Sequence, residues 1–159
     1  MSSLKNIENK LNMRSKILQF EEEMAKAPDI FRGDSEKCPL RHFFADGVYV
    51  REIFIPKGML IVGKIHKHSH PNFLMLGRVS VVTESGGVEI LEAPKYMISP
   101  ANTKRIVYTH EDTLWVTVHV TKSTNLKDIE KEVILENYDA LELSDKEVYA
   151  IQKIKEEGD

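Results

Sequence analysis

Gly58-Met-Leu-Ile-Val-Gly-Lys64-Ile-His66-Lys-His68-Ser-His70-Pro-Asn72-Phe-Leu-Met-Leu-Gly77 places short apolar runs on both sides of a turn rich in histidine. Further on, Ser99-Pro-Ala-Asn102-Thr-Lys104-Arg105 reads as a polar turn. Glu111-Asp112-Thr-Leu-Trp115-Val-Thr117-Val-His119 then reads as a turn and a closing strand that ends in another histidine. Runs this short, bounded by Gly, Pro, Asn and Ser, predict strands rather than helices. His66, His68 and His70 fall on one turn, where imidazoles can converge on a metal ion or an anion. Strand alternation puts Lys64 and His66 on one face, and Trp115, Thr117 and His119 on another. His68 is expected to be an exposed turn residue.

Outward from this stretch the β texture continues. Val48 to Ile55 precedes Pro56-Lys-Gly58, Met59 to His66 runs into the histidine turn, and Phe73 to Thr83 ends at a Ser85-Gly86-Gly87 hairpin signal. Val88-Glu-Ile-Leu, Lys95-Tyr-Met-Ile, Arg105-Ile-Val-Tyr and Thr113 to Val120 follow. Strands so short and so closely spaced predict a small antiparallel barrel over residues 40–121. On either side the pattern turns helical. Residues 1–28 carry Leu4, Ile7, Leu11 and Leu18 on one stripe, with Met13, Ile17, Phe20 and Met24 beside it, and stop at Pro28. Residues 122–159 predict a helix over Leu126 to Leu135 capped by Asn125, and a second opened by the capping box Ser144-Asp-Lys-Glu147.

The chain has 159 residues, enough for one core plus appendages. At 42% hydrophobic and 30% charged residues it falls among ordinary globular chains rather than disordered ones. A net charge of -3 gives no overall attraction to DNA or to an anionic membrane, so neither is an expected partner and any anion site must be local. One cysteine, Cys38, excludes an internal disulfide and fits a reducing cytosol. Acidic residues and the lack of an apolar run near Met1 predict no secretory leader, and no apolar stretch is long enough to span a bilayer. A cytoplasmic location is therefore expected. No nucleotide-binding loop, dinucleotide fingerprint or nucleophile elbow is present.

The two turns and the closing strand together resemble the cupin superfamily, whose first motif joins a His-x-His pair, a glutamate and a closing glycine. Its second motif is a Pro-x-Gly turn followed by a histidine, and in metal-binding members the three histidines and the glutamate hold one ion inside the barrel. Aligned on Gly77, the resemblance puts Lys64, His66 and His70 in the first three ligand slots, and Pro100-Ala-Asn102 leads to Arg105 in the fourth. Asparagine can stand for the turn glycine because it tolerates positive φ. The short closing strand is similar to those of cupins often encoded by bacteriophages, which would place the protein in a host cytoplasm. The resemblance implies a mainly β, cupin-like antiparallel barrel or jelly roll with an N-terminal helix and C-terminal helices, assembled as a homodimer.

Two functional expectations follow. Lysine is a poor metal ligand and arginine is not one, so two of four slots are cationic. Lys64, His66, His70 and Arg105 would instead suit a carboxylate or phosphate, with Trp115 and His119 available on the closing strand. The implied protein is a non-catalytic module binding a small anionic ligand, nucleotide-like or carboxylate, without a cofactor. One version is a phage protein that sequesters a host signalling nucleotide. Such binding should weaken above about pH 7, as the imidazoles lose charge. The alternative is a metal-dependent isomerase or dioxygenase with iron, manganese, nickel or zinc on His66, His70 and His119, a facial three-nitrogen site with open positions. Trp115 is either core filler or a stacking platform for a base.

Overall fold

A computed structural model of the chain describes Lys5, Asn9 and residues 12–19, 38–83 and 88–135. From residue 40 eleven strands and a helix follow one another: β1 (Leu40–Ala45), β2 (Val48–Ile55), β3 (Leu60–Val62), β4 (Ile65–His66), β5 (His70–Leu76), β6 (Arg78–Thr83), β7 (Val88–Glu92), β8 (Lys95–Ser99), β9 (Arg105–Thr109), β10 (Thr113–Val120), the helix Leu126–Val133, and β11 (Ile134–Leu135). Residues 12–19 are helical, with Ile17 buried. The expected contributions of Ile7, Leu11 and Phe20, the Ser85-Gly86-Gly87 turn and the helix opened by Ser144 lie outside the described residues.

The strands form a five-stranded sheet in the order β1-β2-β10-β5-β8 and a four-stranded sheet in the order β3-β9-β6-β7, with every pairing antiparallel. Inward residues of the larger sheet (Ile53, Ile55, Leu74, Trp115) meet those of the smaller (Val79, Val81, Leu91) in one apolar cluster. Two antiparallel sheets closed face to face in this crossed-over order make the jelly roll that the cupin resemblance implied.

Gly77 is the corner of this arrangement. The run read as one strand from Phe73 to Thr83 breaks there, so β5 joins one sheet and β6 the other. Gly77 has φ +98, and an added Cβ would lie 2.5 Å from the carbonyl oxygen of Asp112, so only glycine can turn the chain here. The run Met59 to His66 likewise divides into β3 and β4: the Gly63 amide makes a last bond to the Arg105 carbonyl in the register of β3 with β9, and Gly63 and Lys64 then link the two strands. Asn102 takes the left-handed conformation, φ 63, expected of it in the Pro100 turn.

At the C-terminal end Asn125 caps its helix by accepting hydrogen bonds from the Lys127 and Asp128 backbone amides, as predicted. The helix stops at Val133, however. Ile134 and Leu135 are extended and pair with His66 and Ile65 of β4. β-Branched Val133-Ile134 suits that pairing better than another helical turn.

Candidate metal centre

β5 and β10 lie side by side with Asn72 opposite Thr117, and their alternation sends His70, Asn72, Leu74 and Trp115, Thr117, His119 inward. Continuing that register brings His119 beside His70, their ring centroids 4.8 Å apart. His66 arrives from a different direction. β4 is pinned on one side by β11 and on the other by the Asn102 amide, which donates to the His66 carbonyl at 2.7 Å. Its ring then lies 4.3 Å from that of His70 and stacks at 5.3 Å on His119. One ligand atom from each of the three imidazoles falls within 4.8 Å of the others.

Hydrogen bonding sets one tautomer. His70 Nδ1 lies 3.3 Å from the carbonyl oxygen of His68, which can only accept, so Nδ1 carries the proton. Nε2 therefore holds a lone pair, and it is buried without a hydrogen-bond partner. An orphaned acceptor of this kind costs about 1–3 kcal/mol unless something coordinates it. His119 Nε2 shares a 3.2 Å hydrogen bond with Thr117 Oγ1, and its ring stacks on buried Tyr49. Tyr49 in turn holds His42 Nδ1 through its hydroxyl at 2.7 Å.

The imidazoles are held uncharged. Burial, reinforced by the neighbouring histidines and by Arg105 and Arg51, pushes His66 down to about 3. Burial, His70 and Arg51 push His119 down to about 4, and burial lowers His70 as well. Neutral imidazole is the form that ligates a metal.

The cationic site expected from sequence is not assembled. Lys64 is exposed in the link between β3 and β4, and its ammonium pairs with Glu130 of the C-terminal helix rather than facing His66. Chain alternation did not hold there, because Gly63 and Lys64 are not in a strand. The histidines are uncharged near neutrality, which also removes the physical basis of an anion affinity that fades above pH 7. Arg105 does lie beside the cluster, but its Nη2 donates to Ser99 Oγ and to Asn72 Oδ1 at 3.4 Å. Trp115 is 6% exposed, with its indole Nε1 donating to Asn72 Oδ1 at 2.9 Å and its ring under the Arg105 guanidinium. It is core and offers no open face to a base. His68 is exposed as expected, and Glu52 pairs on the outside with Arg41 at 3.4 Å.

Three contributors escaped the sequence reading. Asn72, 1% exposed, ties Trp115, Ser99 and Arg105 together. Arg51 stands on the inner face of β2 opposite Thr117. Ile129 and Val133 close the histidine end of the lumen against Tyr49. The alternation Tyr49, Arg51, Ile53 and the spacing of Asn72 from His70 were the available signals. Nothing local pointed to the packing of the predicted helix against Tyr49.

No protein-family model matches the chain, and no curated protein matches it. Among solved structures it is similar to KdgF from Halomonas sp. (12% identity, 64% of this chain and 93% of that one, TM-score 0.49). It is similar too to the plu4264 protein of Photorhabdus luminescens (10% identity, 65% and 94%, TM-score 0.48). A third is an RmlC-like cupin with a double-stranded β-helix fold from Methanocaldococcus jannaschii (12% identity, 58% and 88%, TM-score 0.46). Likenesses at these values decide nothing about its chemistry.

Proposed function

We propose that this cupin-like chain binds one divalent transition-metal ion on His66, His70 and His119 and presents it to a small anionic ligand. The observation that carries the reading is the buried, unpartnered Nε2 of His70 inside a cluster of three neutral imidazoles whose ligand atoms lie within 4.8 Å of one another. Three imidazoles form a neutral donor set of the kind that suits iron, manganese, nickel or zinc. With no carboxylate among the ligands the ion would keep its full charge, which favours an anionic ligand at an open position. A metal so held supplies Lewis-acid polarisation of a coordinated oxygen. The chain's own groups exclude water with Tyr49, Ile129 and Val133, and set a cation beside the site with Arg105. This favours the metal-dependent enzyme over the metal-free module.

A second reading, capture of a small anion without metal, is favoured by Arg105, the cation next to the cluster. The version in which a phage protein sequesters a signalling nucleotide belongs with it, but lacks Lys64 and an open Trp115 face. Metal analysis of protein purified without chelator separates the two. The expected result is about one ion per chain, lost in His66→Ala and His119→Ala and retained in Arg105→Ala. No ion in the purified protein, and none taken up after adding each candidate metal, would leave the anion-capture reading standing alone.

A further inference from the structure

An antiparallel sheet with water on one side alternates apolar inward residues with polar outward ones. The five-stranded sheet departs from that pattern. Tyr49, Ile53, Leu74 and Trp115 are buried on its inner side, so the residues between them face out. Strand register sets these outward residues in rows. Phe43, Val50 and Val118 form one row across β1, β2 and β10. Val116, Phe73 and Tyr96 form the next across β10, β5 and β8, completed by Glu52 on β2 and Arg41 on β1. Ile98 and Val120 widen the same apolar face. Tyr96 is 79% exposed, Ile98 66% and Val120 89%, so water reaches side chains that gain most from leaving it.

Size and charge narrow what fits there. Five strands about 4.8 Å apart and up to eight residues long make a face roughly 24 by 27 Å. With the relief of its side chains, that extent approaches the roughly 800 Å² that each partner of a stable dimer hides. An exposed apolar area of this size marks an interaction surface. Among the described residues of the face only Arg41 and Glu52 are charged, and they pair with each other at 3.4 Å. A nucleic acid or an anionic membrane needs a surplus of cations, which this face does not offer. A neutral apolar face is complementary to itself. The outer face of the smaller sheet is narrower. Ser80 Oγ interrupts it, bonded to His110 Nε2 at 2.6 Å, and Arg78 and Glu92 stand opposite each other at its end.

We infer that the outer face of the five-stranded sheet seats a second copy of this chain, sheet on sheet about a two-fold axis. Two sheets so stacked align within about 30° and bury both faces at once. His70 and His119 look to the opposite side of the same sheet, so pairing here does not depend on a metal.

Sedimentation equilibrium of the full chain at micromolar concentrations should give twice the mass of one chain, and its melting temperature should rise with protein concentration. A two-fold interface meets every substitution twice. Tyr96→Lys and Ile98→Lys should therefore each raise the dimer Kd about a hundredfold or more. Both side chains are exposed in the single chain, so the resulting monomers should keep the wild-type circular dichroism spectrum. Val88→Lys, on the exposed outer face of the smaller sheet, should leave the dimer intact. A monomer at every concentration overturns the second copy as occupant. So does a dimer that survives both Tyr96→Lys and Ile98→Lys, or one that Val88→Lys dissolves in their place. A monomeric full chain whose melting temperature falls by several degrees in Tyr96→Lys would assign the face to the chain's own ends instead.

Discussion

β5 and β10 each run through two different environments. At one end Leu74 and Trp115 sit in an apolar core with Ile53, Val79 and Leu91; two to four residues away the same inner faces carry Asn72, His70, Thr117 and His119. β10 stays paired with β2, and β5 with β8, through both halves, so the difference lies chiefly in the side chains. The apolar half needs only volume and shape. The imidazole half contains polar groups removed from water, and each needs a partner or remains a cost. Asn72 joins the halves, bonding Trp115 on one side and Ser99 with Arg105 on the other. The comparison shows a packed half that holds its positions unaided and a polar half that depends on that rigidity.

Breaking the packed half should have the largest effect. Trp115→Ala removes a buried indole and leaves Asn72 Oδ1 without its strongest partner, and should cost about 3–5 kcal/mol, read from urea unfolding. A loss under about 1 kcal/mol would mean that the apolar cluster does not brace the site.

Acid should act selectively on the polar half. His66 and His119 titrate at about 3 and about 4 when folded but near 6.5 when unfolded, burial being the chief cause. The unfolded chain thus takes up protons that the folded chain refuses. Stability of metal-free protein should be complete above about pH 7 and decline as pH falls from 6.5 towards 3. The loss is about 2 kcal/mol by about pH 5.5, measured by calorimetry. A melting temperature unchanged between pH 7 and 5 would show that the imidazoles are not buried together.

The smallest effect belongs to the clasp outside the lumen. Lys64 and Glu130 are both largely exposed, so Lys64→Ala should cost less than about 1 kcal/mol and leave metal content unchanged. A loss of metal in that variant would place Lys64 in the site after all.

Much of the lumen was legible from local pattern. The spacing of His66 and His70 ahead of Gly77, the positive φ of Asn102 and the Trp115–His119 alternation each depend on neighbours within a few residues. Lys64 was misplaced for the complementary reason. Alternation predicts a shared face only while the backbone stays extended, and Gly63 and Lys64 lie between β3 and β4, in neither strand. The single strand read from Phe73 to Thr83 failed because both segments are β in character. The sheet change at Gly77 is imposed by the approach of Asp112.

By itself the sequence determined the β class and the turn chemistry at Asn102, because periodicity and φ preference are local properties, while the cupin resemblance supplied the expectation that His66, His70 and Arg105 share one end of the lumen. Tertiary structure decided that His119 meets His66 and His70, that Lys64 leaves them for Glu130, that the imidazoles stay neutral, and that β11 and its helix hold β4 in place. These depend on strand register and on burial, and both arise only when segments far apart in the chain exclude water between them.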